Sequence, residues 1–460
     1  MPKQLALFIC ILFILWLFAR DHKLRPMTSW ALWIPLLWIT IIGTRPVSFW
    51  FDAGIRIVKP EDYLEGSPLD RNVFLFLIVA GLVVLLIRRV DWSRIYASNR
   101  WFFAFFIYCG ISVIWSDYPF VSFKRWIKEF GDIVMVVIIL TEIDPVQAFK
   151  AVFTRFTNIV IPFSVLFIKY FSDIGRAYDR WTGEPYYRGV TMYKNELGVI
   201  LFVCGMFLVW DLIEMRSNSG GKTDRTDLSI RAVLLLMVLW LFAKANSMTA
   251  IVSLTLGAGI LLLMRLPFFK DRVRYLGMYS LALGLLFIIL YSIPGILESI
   301  LGILGRNVTL TGRTDLWADL LREPINPILG TGYQSFWLGP GAVHIWEKYS
   351  FHPNQAHNGY LETYLNGGLV GLGLLIAMIV STGSKLKKEL LLGNDYGILC
   401  FSFLVVAVFY NWTEAMISGP SLIWMILMLA ALTYPYSSES IPDNELEITI
   451  TLSRNSGVKT

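Results

Sequence analysis

The chain has 460 residues, of which 56% belong to the hydrophobic set, 15% are aromatic and 16% are charged, and its mean hydropathy is +0.59. Soluble globular domains carry about 25% charged residues, and one soluble core cannot hide this much apolar side chain. A cytosolic enzyme, a disulfide-framed secreted domain and a disordered chain are therefore excluded. The 40 Lys and Arg against 34 Asp and Glu leave a formal charge of +6. Because the basic residues stand between apolar runs, that excess reads as membrane topology, and no nucleic-acid partner is expected.

The apolar runs lie at about 5–19, 29–43, 73–87, 101–115, 127–140, 156–168, 196–213, 232–243, 248–264, 275–293, 359–380, 397–410 and 415–434. They are continuous and do not alternate, which argues against a β-barrel. The expected fold is an all-α polytopic membrane protein of about 12 or 13 spans, residues 1–434, with a polar cytoplasmic tail over 435–460. The first run lacks a small-residue cleavage site before Arg20, so a retained anchor is expected. The four cysteines, Cys10, Cys109, Cys204 and Cys400, lie in or beside apolar runs without a paired spacing and read as small buried hydrophobes.

Basic residues choose the orientation. Arg88, Arg89, Arg94 and Arg100 fill one loop, Arg216, Lys222, Arg225 and Arg231 another, Arg265, Lys270, Arg272 and Arg274 a third, and Lys385, Lys387 and Lys388 a fourth. With alternating spans all four fall on one side, which the positive-inside rule makes cytoplasmic. Two polar loops, about 170–194 and 294–358, then face outward, and a structureless loop as long as the second is usually functional. No Walker motif is present, so ATP is not expected to drive the protein.

The first outward loop carries Arg176, Arg180, Arg188 and Lys194 on the side where basic residues are disfavoured. Guanidinium forks match phosphate geometry, so an anionic ligand is one explanation, and Arg188, with no adjacent acid, is its best carrier. Trp181, Tyr186, Tyr187 and Tyr193 interleave with the cations and can stack on sugars or anchor the loop at the interface. Pairing with Asp173, Asp179 or Glu184 inside the loop is the plainer alternative.

The second outward loop holds Leu310-Thr-Gly-Arg-Thr-Asp-Leu-Trp317, where Arg313 precedes an expected amphipathic helix with Trp317, Leu320 and Leu321 on one face. Turn chemistry at 323–333 reverses the chain. Three of the chain's four histidines, His344, His352 and His357, follow. His357 stands just before the span from about 359, where an imidazole can serve as a general base toward a lipid-linked substrate. Pro353 and the spacing of His352 and His357 argue against a metal pair, and loop packing or capping is the alternative for each. Glu362 lies one turn into the span, near membrane depth. Gly367 and Gly371 form a small-x-x-x-small pair suited to close helix packing. Lys244 and Glu414 stand in short outward turns and can line the same cavity.

Leu310-Thr-Gly-Arg-Thr-Asp-Leu-Trp317, Pro327-Ile-Leu-Gly-Thr-Gly-Tyr333 and Ala356-His-Asn-Gly-Tyr-Leu-Glu362, followed by Gly367-Gly-Leu-Val-Gly371, resemble in order the signature of the O-antigen ligase and Wzy-type polymerase family. The resemblance runs from about 110 to 430, starting at Trp115-Ser-Asp-Tyr-Pro119. The Tyr193-Lys-Asn-Glu-Leu-Gly198 stretch is similar to the exopolysaccharide polymerases of the branch that includes succinoglycan production proteins. One departure is Ser247-Met248-Thr249, where the family often has a basic residue; Lys244 is the nearby substitute. The resemblance implies a metal-independent, cofactor-free glycosyltransferase of the GT-C type in the bacterial inner membrane. Its donor would be a glycan on undecaprenyl diphosphate, and its acceptor another glycan repeat or the lipid A core. A flippase and a chain-length regulator would be its partners. His357 and Arg313 would be catalytic. Arg188, Arg180, Lys194, Arg176, Asn195, His352, Asn358 and Glu362 would contact the diphosphate or the glycan. Polymerisation is the expected activity, ligation the alternative, and a transporter for lipid-linked sugar the competitor from another class.

Overall fold

A computed structural model describes residues 1–25, 28–51, 66–178, 183–218, 224–279, 313–349, 351–417 and 419–434. Most of the expected span at 275–293 and the tail from 435 lie outside the described residues. The fourteen helices that matter here are α1 (Lys3–Leu24), α2 (Trp33–Gly43), α3 (Pro68–Ile87), α4 (Arg100–Ile111), α5 (Pro119–Leu140), α6 (Pro145–Tyr170), α7 (Lys194–Asn218), α8 (Arg225–Ala245), α9 (Met248–Leu263), α10 (Arg313–Leu320), α11 (Pro340–Lys348), α12 (Gly359–Leu391), α13 (Asp395–Thr413) and α14 (Leu422–Ala431). The first outward loop adds a small ribbon, β1 (Arg176–Tyr178) paired antiparallel with β2 (Pro185–Tyr187), Arg176 facing Tyr187.

The chain is an all-α polytopic membrane protein. Seven described helices, α1, α3, α6, α7, α8, α12 and α13, are long and apolar enough to cross a membrane. An eighth span forms if Trp92–Ser98 and Arg100–Trp115, bent by 102°, count as one. The expected 12 or 13 spans include the run at 275–293, most of it outside the described residues, and apolar helices too short or too charged to be counted among the seven. Trp30–Gly43, Met248–Leu263 and Leu422–Ala431 are apolar but short, against the ~20 residues a lipid-facing span needs. Every residue of α14 is buried by protein, so it need not match the bilayer alone. Helix α5 carries Lys124, Arg125, Lys128, Glu129 and Asp132, which lower its hydropathy.

The core is built around α6 and α7, whose apolar residues are buried on nearly every side. Asp144 starts α6 by accepting from the N–H groups of Val146 and Gln147, with Pro145 as its first residue. The four cysteines are free, and Cys204 and Cys400 are buried.

Helix α6 separates two ends of opposite character. Near its start basic residues gather and several are paired: Arg88 with Glu142, Arg155 of α6 with Asp21 at 2.7 Å, Arg231 with Asp211 at 2.8 Å, and Arg265 with Asp395 at 3.0 Å. Lys385 donates there to Asn99 and to the Ala431 carbonyl. At its other end lie the first outward loop, the 313–358 segment and the turn after α13. The described parts of the basic loops and of the two polar loops therefore occupy opposite ends of the bundle.

The long loop is not structureless where it is described. Leu316, Leu320, Phe336, Trp337, Ala342, Ile345, Ala356 and Leu365 form a second small core. Helix α10 presents Leu316 and Leu320 to it, while Leu321 is 62% exposed. The expected face with Leu321 is therefore corrected: the 3.6-residue period started at Arg313 puts the i, i+4 pair Leu316 and Leu320 inward.

Helix α12 is broken at Gly368 (φ 60°, ψ −161°). The turn segment 327–332 fits the break. The Leu369 and Val370 N–H groups donate to the Pro327 and Ile328 carbonyls, and the Thr331 and Gly332 N–H groups donate to those of Leu365 and Asn366. A break inside a membrane helix needs such partners for its freed backbone groups. A Cβ at Gly368 would stand 2.2 Å from the Ile328 oxygen. The glycine cluster thus serves this insertion first. It also permits close packing, with Tyr108 against Gly367 and Gly371 and its hydroxyl donating to the Gly367 carbonyl at 2.7 Å.

Candidate functional site

The turn after α13, the start of α10 and the residue before α12 meet at one carboxylate. Glu414 Oε2 lies 2.9 Å from His357 Nδ1, and its Oε1 lies 3.0 Å from an Arg313 guanidinium nitrogen. Arg313 also donates to the Thr413 carbonyl. The Glu414 side chain is 5% exposed, those of Arg313 and His357 21% and 28%. Burial pushes the Glu414 carboxyl up, but the His357 bond and the Arg313 charge outweigh it and hold it below the usual carboxylate value. Glu414 is thus an anion gripped from both sides, and it orients an imidazole and a guanidinium at the rim of the bundle.

His357 is held in place by its neighbours. Its backbone is left-handed (φ 50°), a conformation most side chains avoid. On one side the Ala356 N–H donates to Glu362 and its carbonyl accepts from the Trp317 indole at 2.7 Å. On the other, Asn358 caps α12 by accepting from the N–H groups of Tyr360 and Leu361. Strain fixed by such surroundings is characteristic of functional positions.

Glu362, 4% exposed, lies behind this turn. It accepts from the Trp337 indole with both oxygens at 2.9 Å, from the Ala356 N–H at 2.9 Å and from Asn366 at 3.1 Å. The Asn366 side-chain oxygen accepts from the N–H groups of Ser335 and Phe336. Glu362 and Asn366 bind the loop core to α12, and Asn358 is engaged as the cap. His352 is exposed, its ring 5.9 Å from that of Trp346.

In the first outward loop, Arg176 donates twice to the Ile168 carbonyl, at 3.0 and 2.9 Å. Arg188 donates to the carbonyls of Ile174 and Asp173, at 3.0 and 3.2 Å. These bonds brace the loop. Lys194 and Asn195 are exposed at the start of α7. Arg180 lies outside the described residues, as do Trp181 and Asp179. Lys244 stands over the rings of Tyr187 and Trp240, at 5.6 and 5.8 Å.

Arg45 escaped the sequence reading. It is 8% exposed and donates to the carbonyls of Thr191, Ile174 and Gly189, tying α2 to the loop. Burial and the nearby Arg188 charge bring its pKa down to about 10. The signal was present in Gly43-Thr-Arg-Pro46, a basic residue at the outward end of an apolar run, the same anomaly that marked Arg188. Lys124, Arg125 and Lys128 carry it too. With Arg71 they line a cavity of about 790 Å³ between α2, α3, α5 and α7, with Met416, Pro420, Ser421 and Leu422 at its edge. That size falls within the ~300–1,000 Å³ of small-molecule sites.

Comparison with known proteins bears on this arrangement. Residues 232–376 match a family model described as O-antigen ligase. The chain is 26% identical over 317 residues to the exopolysaccharide production protein ExoQ of Rhizobium meliloti, covering 66% of this chain and 69% of that relative. The matched family segment contains Arg313, His357 and Glu362, while Glu414, Arg45 and the cations of α5 lie outside it. With its apolar helices, the chain is a multi-pass membrane protein that is similar to the O-antigen ligase family over residues 232–376 and to one exopolysaccharide production protein over about two thirds of each chain.

Proposed function

We propose that the protein is a metal-independent glycosyltransferase that polymerises glycan repeat units, with a glycan on undecaprenyl diphosphate as donor, at the outer face of the bacterial inner membrane. The observation that carries this reading is the junction of His357, Glu414 and Arg313 at the end of the bundle opposite the basic loops. Glu414 accepts a hydrogen bond from the Nδ1–H of His357 and so keeps the proton on Nδ1, which leaves Nε2 as the basic nitrogen. An acceptor hydroxyl bonded to Nε2 attacks the anomeric carbon of the donor. The new glycosidic bond forms as the bond from that carbon to the diphosphate oxygen breaks. The hydroxyl proton passes to His357, and undecaprenyl diphosphate departs with the bonding pair. Positioned proton transfer of this kind contributes typically ~10²–10⁴-fold. Arg313 keeps positive charge beside the developing anion and fixes Glu414.

The test is the size profile of lipid-linked and surface polysaccharide in cells whose only copy carries His357→Ala, with the protein level in the membrane checked by blot. Accumulation of single repeat units with loss of long chains is the expected result. Long chains that persist on the lipid carrier but fail to reach a surface glycolipid would instead indicate ligation to a lipid A core. Unchanged polymer, with polymer lost in a null strain, would overturn the role given to His357.

A further inference from the structure

The turn segment 327–332 combines two features that do not belong together in water. Its side chains Ile328 and Leu329 are 58% and 37% exposed. Yet every N–H it possesses has a protein partner. Those of Ile328 and Leu329 donate to the Asn326 side chain at 2.9 and 3.1 Å, and that of Gly330 to the Asn326 carbonyl at 2.8 Å. Those of Thr331 and Gly332 go to α12, and Pro327 has none to place. The carbonyls of its first three residues are engaged as well. Pro327 and Ile328 accept from the Leu369 and Val370 N–H groups, and Leu329 accepts from the Tyr108 hydroxyl and the Trp115 indole, each at 3.3 Å. A loop tip in water can leave such groups to solvent. A segment in hydrocarbon must satisfy them within the protein. Exposed apolar side chains over a bonded backbone are the surface of a lipid-facing segment.

Helix α12 sets the depth. Its uncharged stretch runs from Thr363 to Ser384, between Glu362 and Lys385. At about 1.5 Å per residue that matches a bilayer core of about 30 Å. Leu369 and Val370, the residues bonded to the turn, lie roughly 10 Å inside the end of this stretch nearest the long loop. Both are exposed, as are Ile111 at the end of α4 and Ile114 just beyond it, beside Tyr108 and Trp115. The apolar tip is therefore continuous with the lipid-facing sides of α4 and α12.

We propose that 327–332 is a re-entrant segment whose Ile328 and Leu329 side chains stand among the acyl chains of the outer leaflet. Its partner is the bilayer itself. Through Asn366, which accepts from Ser335 and Phe336, the segment is tied to the small core of the long loop and holds that core at a fixed height over the membrane. The sequence does not mark this contact, because the turn is too short and too rich in glycine and proline to form an apolar run. The inference requires no particular reaction and stands apart from the glycosyl-transfer reading.

The experiment uses the full chain with Cys10, Cys109, Cys204 and Cys400 replaced by Ala. A single cysteine is placed at Ile328, at Ile376 on an exposed side of α12, or at the exposed Arg322 of the long loop. Each variant is spin-labelled and reconstituted in phosphatidylcholine vesicles. Relaxation of the nitroxide by oxygen, which concentrates in hydrocarbon, is compared with relaxation by a water-soluble nickel chelate. Ile328→Cys and Ile376→Cys should favour oxygen several-fold, and Arg322→Cys should favour the chelate. Leu329→Cys supplies the same reading where the Ile328 variant does not insert. A label at 328 relaxed by the chelate as at 322 would place the tip in water, and one reached by neither reagent would place it under protein; either result overturns the proposal. A second measurement needs no label. Ile328→Asp should lower the thermal midpoint in vesicles, since a carboxylate does not belong in hydrocarbon, whereas Ile328→Leu should not. An Asp variant as stable as wild type would also overturn the proposal.

Discussion

Glu414→Gln tests the junction with the least disturbance of shape. The carboxylate accepts from His357 with one oxygen and from Arg313 with the other. An amide has one accepting oxygen, so its NH₂ group must face either the imidazole N–H or the guanidinium, donor against donor. At least one charge-assisted bond is lost, worth about 1.5–3 kcal/mol. If that energy is expressed in the transition state, at about 1.4 kcal/mol per tenfold the rate falls roughly 10- to 150-fold. The assay is the initial rate of glycan extension by purified protein at saturating lipid-linked substrate, so that the loss is read in kcat. Because Glu414 positions other groups and does not itself meet the donor, KM should change little. Glu414→Asp keeps the charge with a shorter reach and should fall between the two. A Gln variant that inserts normally and works within about threefold of wild type would refute the reasoning, since a gripped carboxylate of this kind cannot be neutralised without cost. A loss confined to KM would refute the positioning role.

Further outcomes follow from other parts of the structure. The Glu414 carboxyl is held below its ordinary value of 4.5, so its contribution is present above that value and is lost only as pH falls through the lower, folded-state value. Limited proteolysis of the 313–358 loop should stay slow well into the acid range in wild type and lose this pH step in Glu414→Gln; an identical pH profile in the two proteins would contradict the assignment. Gly368→Ala forces a side chain into a left-handed position against the Ile328 carbonyl, a strain of about 1–3 kcal/mol or more; it should lower the thermal midpoint or the membrane level of the protein, and an unshifted midpoint would contradict the broken-helix account. Arg45→Met removes the shared donor of three loop carbonyls; cleavage in the 170–194 loop should accelerate, and cleavage at the wild-type rate would show that the loop holds without it. Extension activity should persist in excess chelator, and its loss there would end the metal-independent reading.

Much of the fold was legible because membrane insertion is a local property. An uncharged apolar run of sufficient length and the Lys/Arg bias of its flanks are readable residue by residue. The runs, the all-α class and the sorting of basic loops from polar loops all follow from that. Short apolar runs are harder to read, since the length rule applies to helices facing lipid, and α14 is sheathed by protein instead. The site was half legible. His357 and Arg313 stand out as rare or misplaced residues beside an expected membrane boundary. Glu414 stands out only as an acid in a short turn that can line the same cavity; its grip on His357 and Arg313, 57 and 101 residues away in sequence, is not readable there.

What the sequence determined by itself is therefore the set of things that depend on nearest neighbours along the chain: helix class, orientation bias, and the order of the motifs. Tertiary structure decided which of the outward cations are engaged. Arg176 and Arg188 have the right charge for a diphosphate, but carbonyls at the end of α6 and in the loop lie within reach and take their donors. It also decided that Gly368 is a break filled by 327–332, since a glycine pattern permits close approach without saying what approaches. Last, it assembled the cavity, whose cations come from α3 and α5 and whose apolar wall adds residues of α7 and of the turn beyond α13. No local rule brings those segments together; the packing of the bundle does.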